Sequence, residues 1–377
     1  MRLLETLGGE IGVRTAGSPA AARASEAIAE SLRELGLEPR FQRFRFLGYD
    51  AEEPELEIEG ERWDAGPSVY SDSTPEGGVE GRVRFLGVRV DIPGVFEAPI
   101  FAIEDEDALE VGRLYVNPLG GAIPFPAGYM QLLTAPTAVI SKADGARLRD
   151  LEGAHARLVT RGHFVPGRTD CNVVAELPGA IEEQVVVGAH FDSVWRGPGV
   201  IDNATGVEGL RRVAERLVGR AHARTVVFVA FGAEEIGLIG SRFYVEEAKL
   251  RGDLDRIVGV VNLDCIAHGD ALELLAGPDE LRGRALELSR ALGLPDRYEV
   301  AARGPEPGTD HYFFAQEGVP AVSVLFFPYP EYHLPAETFA LVDERKLADS
   351  IDLAVALVES QLARPVTRDK TKTRGLM

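Results

Sequence analysis

From about Asn172 onward the chain alternates continuous apolar runs with amphipathic ones, and this alternation limits the fold more than any other feature. Residues 184–192 (QVVVGAHFD), 225–232 (TVVFVAFG), 257–266 (IVGVVNLDCI) and 321–327 (AVSVLFF) are short, rich in β-branched residues and carry no polar face. A strand of that kind has to be covered on both sides of its sheet. Residues 205–218, 238–250, 280–292 and 343–362 repeat apolar positions at helical spacing. Strands and helices in strict alternation predict an α/β fold, a mostly parallel mixed sheet with helices on both faces. A helix at 18–36, with apolar Ala21, Ala24, Ile28, Leu32 and Leu35 and a closing Gly36, and a strand at 39–46 precede this block.

Between residues 48 and 163 the texture is different. Short alternating runs such as Glu55-Leu56-Glu57-Ile58-Glu59 sit among Gly and Pro turns, and residues 118–128 read as a loop. A length of 377 residues suits two domains. The expected organisation is therefore residues 1–47 and 164–363 as one domain, 48–163 as a smaller, mostly β domain inserted into it, and 364–377 as a flexible basic tail.

The formal charge of -20 removes the basic footprint that a nucleic-acid binder needs and disfavours an anionic membrane surface. No run of eighteen or so apolar residues occurs, so no membrane span is expected. The N-terminus, MRLLETLGGEIG, lacks the apolar core of a secretory leader, and the expectation is a cytoplasmic protein. Two cysteines, Cys171 and Cys265, exclude a disulfide framework and read as buried thiols, with one bridge between them left open.

In open α/β sheets ligands bind outside the carboxyl ends of the strands. Here those ends read His190-Phe191-Asp192, Gly232-Ala233-Glu234-Glu235 and Asn262-Leu263-Asp264, and the loop before the first helix carries Asp202-Asn203. Each residue has an ordinary reading alone: Asp202-Asn203 as a helix cap, Glu234-Glu235 as a solvated helix start, Asp264 as a turn. Together they bring imidazole and carboxylate to one edge, which suits zinc, with manganese or cobalt as rivals. Several carboxylates with few histidines repel one another without a cation, and two metals bridged by one carboxylate answer that repulsion. A glutamate outside the ligand set is then free to move a proton. Cys265, one residue beyond Asp264, is expected to point to the opposite face of its strand and into the core.

The order HxD, DNxxG-type loop, Glu-Glu pair, NxD and late Tyr332-His333 resembles the M28 family of zinc peptidases, over residues 170–362 and in the first 46 residues. The resemblance implies a zinc-exopeptidase fold and a zinc aminopeptidase that hydrolyses N-terminal residues from peptides with two Zn2+ per chain. Carried over position by position, it implies His190, Asp202, Glu235, Asp264 and His333 as metal ligands, Asp202 as the bridge and Glu234 as the general base. Asp192 would orient His190, and Tyr332 would steady the oxyanion. The resemblance also implies a cis peptide bond between Asp202 and Asn203. Residues 48–163, best at 135–151, resemble the protease-associated domain that many such peptidases carry.

Two motifs depart from the family pattern: Thr309-Asp310-His311-Tyr312-Phe313-Phe314 has Phe where Pro is common, and Tyr332-His333-Leu334-Pro335-Ala336-Glu337-Thr338 alters the usual YHTxxDT. Both change the pocket wall and neither removes a ligand. His311 reads as a residue behind the ligands or as pocket lining, His268 as a loop residue, and His155, His163 and His222 as surface or core. A peptide is the expected partner, with homo-oligomerisation left open. The alternatives are a carboxypeptidase or dipeptidase on the same scaffold, a one-zinc reaction like that of glutaminyl cyclases, and a non-catalytic binding protein of the same fold.

Overall fold

The computed structural model describes residues 2–92, 96–122 and 133–363. The expected tail, 364–377, and residues 123–128 of the expected loop lie outside the described residues. Eight strands form the larger sheet: β1 (Arg40–Ala51), β2 (Gly162–Leu177), β3 (Ile181–His190), β4 (Arg224–Phe231), β5 (Ile257–Leu263), β6 (Ala271–Gly277), β7 (Glu299–Arg303) and β8 (Ala321–Phe327), in the order β1-β2-β4-β3-β5-β8-β6-β7. The central strands β4, β3, β5 and β8 run parallel. β1 and β2 are antiparallel to their neighbours, and β6 runs antiparallel to β8 with β7 parallel to it. The sheet is therefore mixed rather than mostly parallel. The sequence pattern shows only its doubly covered centre; β7 is the edge strand and β6 its neighbour, and both are only partly buried, so they lack the continuous apolar run that marks the rest.

Helices cover both faces: α1 (Pro19–Arg33), α2 (Gly206–Leu217), α3 (Ile239–Arg251), α4 (Asp279–Ala291), α5 (His311–Gln316) and α6 (Glu344–Leu362). The strand period of two distributes side chains between two cores. Val185, Val187 and Ala189 of β3 join α1, α2 and α6, whereas Val186 joins Tyr244, Val245 and Phe314 of α3 and α5 on the other face. β4 divides likewise, Val226, Phe228 and Ala230 against Val227, Val229 and Phe231. This explains why the strands are apolar throughout. Ser18 caps α1 by accepting the Ala21 amide at 3.1 Å, and Pro19 occupies its first turn.

A second, nine-stranded sheet is built from residues between Glu55 and Val159, with the helix Lys142–Asp150 packed on it through Leu148. The chain passes into and out of it along β1 and β2, which pair from Arg40↔Val174 to Ala51↔Gly162. Residues 47 and 163, the expected division points, therefore lie inside a paired ribbon. Among the described residues no helix is long and apolar enough to cross a membrane.

Candidate metal centre

The parallel centre of the sheet brings its carboxyl ends to one place. β3 ends at His190, which is 1% exposed, and the chain continues through Phe191 to the fully buried Asp192. β4 ends at Phe231, followed by a turn that presents Glu234 and Glu235, and β5 ends at Leu263, just before Asp264. Asp202 and Asn203 lie in the loop ahead of α2 with non-helical backbone angles, and the bond between them is cis, as the resemblance implied. Gly206, at the start of α2, touches this loop so closely that a β-carbon would come within 2.2 Å of Asn203 Oδ1 and 2.4 Å of the Leu263 carbonyl.

The sequence-predicted ligands converge on the Asp202 carboxylate. His190 Nε2 lies 3.0 Å from Asp202 Oδ1, 3.6 Å from Asp264 Oδ1 and 3.9 Å from Glu234 Oε2. On the other side His333 Nε2 lies 3.1 Å from both Asp202 Oδ2 and Glu235 Oε2. Two donor sets thus share one carboxylate: His190, Asp202 and Asp264, and Asp202, Glu235 and His333. All five are buried, and Asp202 Oδ1, Glu235 Oε1 and His190 Nδ1 make no hydrogen bond of good geometry. Orphaned buried oxygens beside imidazole nitrogens fit a cation and little else.

The charges agree with that fit. Asp192, Asp202, Glu234, Glu235, Asp264, Asp310 and Glu337 are all buried around two imidazoles and the Arg14 guanidinium. Burial pushes Glu234 well above the usual carboxyl range, aided by Glu235, Asp310 and Asp264 and opposed by His190. Burial likewise lifts Glu235 and Asp310 to about 7 and Glu337 to about 8. For His190 burial works against the charge, but Glu234, Asp192, Asp202 and Asp264 outweigh it and raise the imidazole well above its usual range. His333 is raised in the same way against burial, chiefly by Glu235 and Asp202. Asp202 is driven down, because His190 and His333 overcome its burial. Asp202 thus favours its ionised form between two imidazoles while Glu234, Glu235, Asp310 and Glu337 are shifted towards their neutral forms, a strain that a cation at the donors would relieve.

Asp192 Oδ1 stands 3.7 Å from His190 Nδ1, and its oxygens accept the amides of Glu234 (3.0 Å) and Glu235 (3.2 Å). It therefore fixes the backbone of the Glu-Glu turn, a role that sequence spacing does not reveal. Tyr332 lines the pocket with its ring stacked on His333 at 3.7 Å between centroids. Three non-glycine residues take left-handed backbone at this edge: Ala233 (φ 56), Cys265 (φ 50) and His333 (φ 61), each at or beside a candidate site residue.

Cys265 corrects the strand-parity argument. It is buried in the core cluster, but β5 has already ended at Leu263; the thiol turns back to 3.3 Å from Asp264 Oδ1 and lines the pocket. Both cysteines are free thiols. His311 is fully buried, bonded to Thr309 Oγ1 at 2.6 Å and held down to about 3 by burial, and it does not line the pocket. His268 pairs with Glu331 at 3.5 Å in its loop, and His222 bonds the Leu217 carbonyl.

Sequence reasoning passed over three further residues. Glu337 accepts the amides of Ile201 (3.0 Å) and Asp202 (2.9 Å) with one oxygen and the Tyr329 hydroxyl (3.2 Å) with the other, tying the His333 loop to the Asp202 loop. Asp310 is fully buried with neither oxygen in hydrogen-bond geometry, close enough to Glu234 to raise it. Arg14 is completely buried and bonds only main-chain carbonyls, those of Phe191, Pro198 and Gly199 at 2.5, 2.6 and 2.7 Å, and more distantly Gly12 and Leu7. Asp310 and Glu337 belong to the two motifs that depart from the family pattern, where the signal lay; for Arg14 there was none.

Residues 172–358 match the family model for peptidase family M28. Leucine aminopeptidase 2 of Arthroderma otae is 36% identical over 163 residues, 42% of this chain and 33% of that protein, so the chain spans about a third of the length of the first curated relatives it matches. Aminopeptidase YwaD of Bacillus subtilis is 26% identical over 381 residues, 92% of this chain and 81% of YwaD. The solved structure of a zinc aminopeptidase from Bacillus subtilis shares the fold, with a TM-score of 0.72 at 22% identity, covering 97% of this chain and 95% of the other.

Proposed function

Because residues 172–358 belong to peptidase family M28, we propose that this protein is a metal-dependent aminopeptidase that removes N-terminal residues from peptides. One observation carries the reading: two sets of buried donors meet on the two oxygens of Asp202, with Glu234 beside the first set. His190, Asp202 and Asp264 would hold one zinc ion, and Asp202, Glu235 and His333 a second. Bound there, zinc supplies Lewis acidity to the peptide carbonyl and acidifies the attacking water.

The chain's own residues do the rest. Glu234, whose carboxylate burial makes more basic, takes a proton from the attacking water and passes it to the departing amine. Asp192 keeps Glu234 and Glu235 in register by holding both amides. The Tyr332 phenol, on the pocket wall, donates to the oxygen that becomes negative. The second sheet is read as a protease-associated-like insertion.

The test is metal analysis of the purified protein together with a panel of aminoacyl-amides and of peptides blocked at the N-terminus. The expected result is two zinc ions per chain, cleavage that requires a free amino terminus, loss of activity on chelation and recovery with zinc or cobalt. Hydrolysis by verified metal-free protein, or cleavage from the carboxyl end, would end the proposal.

A further inference from the structure

The pocket beside the donor cluster holds a charged group that hydrolysis itself does not use. From His190, Asp202, Glu234 and Asp264 the cavity extends along the apolar side chains of Leu275, Leu325 and Phe327, and Arg303 and Glu306 share its lining. Asp202 and Glu234 line the same cavity, so a ligand in it reaches the reacting centre. Arg303 ends β7 and is gripped by Glu273 of the adjoining strand β6. Its other nitrogen lies 3.3 Å from Glu306 Oε2. The three side chains are 30%, 12% and 26% exposed, so the trio is partly withdrawn from water.

One guanidinium between two carboxylates leaves a formal charge of about -1 on the trio at neutral pH. Arg303 has its fork committed and offers little to an incoming anion. Glu306 has a single partner at 3.3 Å, and a carboxylate has about four acceptor positions. Beside an apolar wall, such a group suits a side chain with a long hydrocarbon stem and a cationic tip. The same charge repels a carboxylate, which is how a pocket gains selectivity against a class of residue.

We propose that this pocket receives the side chain of the substrate's N-terminal residue and accepts lysine and arginine beside apolar residues while excluding aspartate and glutamate. Glu306 is the specificity-determining group. The proposal rests on the aminopeptidase reading of the preceding subsection.

The experiment measures kcat/KM of the zinc-loaded enzyme for leucyl-, lysyl- and glutamyl-amides. The lysyl substrate is expected within about tenfold of the leucyl one, and the glutamyl substrate at least about a hundredfold below both, since a partly buried like charge is costlier than a surface one. Glu306→Gln should lower the lysyl-to-leucyl ratio by about tenfold, the scale of one charge-assisted bond. Arg303→Met, which frees both carboxylates, should raise that ratio. Leucyl turnover with a glutamyl rate equal to the lysyl rate, or with ratios unmoved in both variants, would overturn this proposal and leave the aminopeptidase reading standing. Absence of turnover on every free-amine substrate would instead remove the parent reading.

Discussion

Replacing Arg14 with methionine should damage both stability and metal binding, although Arg14 lies outside both donor sets. The guanidinium is completely buried and holds the carbonyls of Phe191, Pro198 and Gly199 at 2.5–2.7 Å, with Gly12 at 3.1 Å. Burial lowers its pKa only to about 10, partly offset by Asp192, Glu337, Glu235 and Asp202, so it is charged at neutral pH. Methionine keeps much of the stem and takes the guanidinium from five carbonyls, of which those of Gly199 and Leu7 keep the amides of Ala204 and Gly12 while those of Phe191, Pro198 and Gly12 lose the donor that Arg14 supplied. At about 1–3 kcal/mol for each of these three groups the gross loss is roughly 3–9 kcal/mol. Removing a buried charge returns several kcal/mol of desolvation, and a net loss of about 3–5 kcal/mol is the reasonable scale. For a large domain that corresponds to a fall in Tm of about 10 °C. The three tightest carbonyls lie in the segment that joins His190 to Asp202, so the two ligands should lose register and zinc affinity should fall as well. Thermal unfolding by circular dichroism and zinc competition against a coloured chelator measure the two effects. Arg14→Lys should recover only part of each, because a single ammonium cannot span the same carbonyls. A methionine variant that melts within 2 °C or so of the parent and binds zinc equally well would refute the reasoning.

Neighbouring glutamates should separate by function: Glu234→Gln is expected to cut kcat by about 10²–10⁴-fold with zinc content intact, whereas Glu235→Ala should lose metal; equal metal loss in both would reverse the assignment. The metal-free chain should become less stable as pH rises. Glu235 and Asp310 near 7 and Glu337 near 8 are all raised above their unfolded values, so their contribution is complete below about pH 4 and disappears as pH climbs through 7 and 8. The Tm of chelator-treated protein should therefore drop between pH 6 and 8.5, and zinc should flatten the profile; a rising Tm would contradict the burial argument. In the same metal-free protein at pH 7, Glu337→Gln should cost under about 1 kcal/mol, since the side chain already favours its neutral form, whereas Glu337→Ala should cost about 2–4 kcal/mol by abandoning the amides of Ile201 and Asp202. Denaturant titration distinguishes the two, and equal costs would mean the carboxyl is ionised.

What the sequence discloses here follows burial. Among the strands covered on both faces Ala321–Phe327 is read to the residue and the other three are found with ends off by up to three residues, and α2, α3, α4 and α6 agree within a residue at either end, because a two-sided core leaves little choice of side chain. Glu299–Arg303, the edge strand, and its neighbour Ala271–Gly277 escape notice for the opposite reason: the first has no buried position and the second leaves three of seven partly exposed. Within the site, His190, Asp202, Glu234, Glu235 and Asp264 stand out because strand ends have fixed places along the chain. Glu337 and Arg14 do not, because each acts on main-chain groups, Arg14 on carbonyls more than 170 positions away, and no local pattern encodes such a partner. Cys265 shows the limit of parity reasoning, which fails as soon as the backbone leaves the strand.

The ribbon of β1 and β2 makes the second sheet, topologically, the tip of a hairpin. Ala51 and Gly162 are facing partners across that ribbon, so everything between them leaves and rejoins the larger sheet across one strand spacing, about 5 Å. Closing so short a gap needs only a two-residue turn, and a long loop between fixed ends adds little entropy for each further residue. Replacing residues 52–161 by Asn-Gly would preserve the register of the ribbon but would open the cluster that Val69 and Tyr70 share with Phe44, Phe46 and Ile236. The cut surface would be the more demanding part of such a shortened protein: Arg196, which reaches across to Glu53, Asp64 and the carbonyls of Ala65 and Ala122, would lose all four of these partners at once.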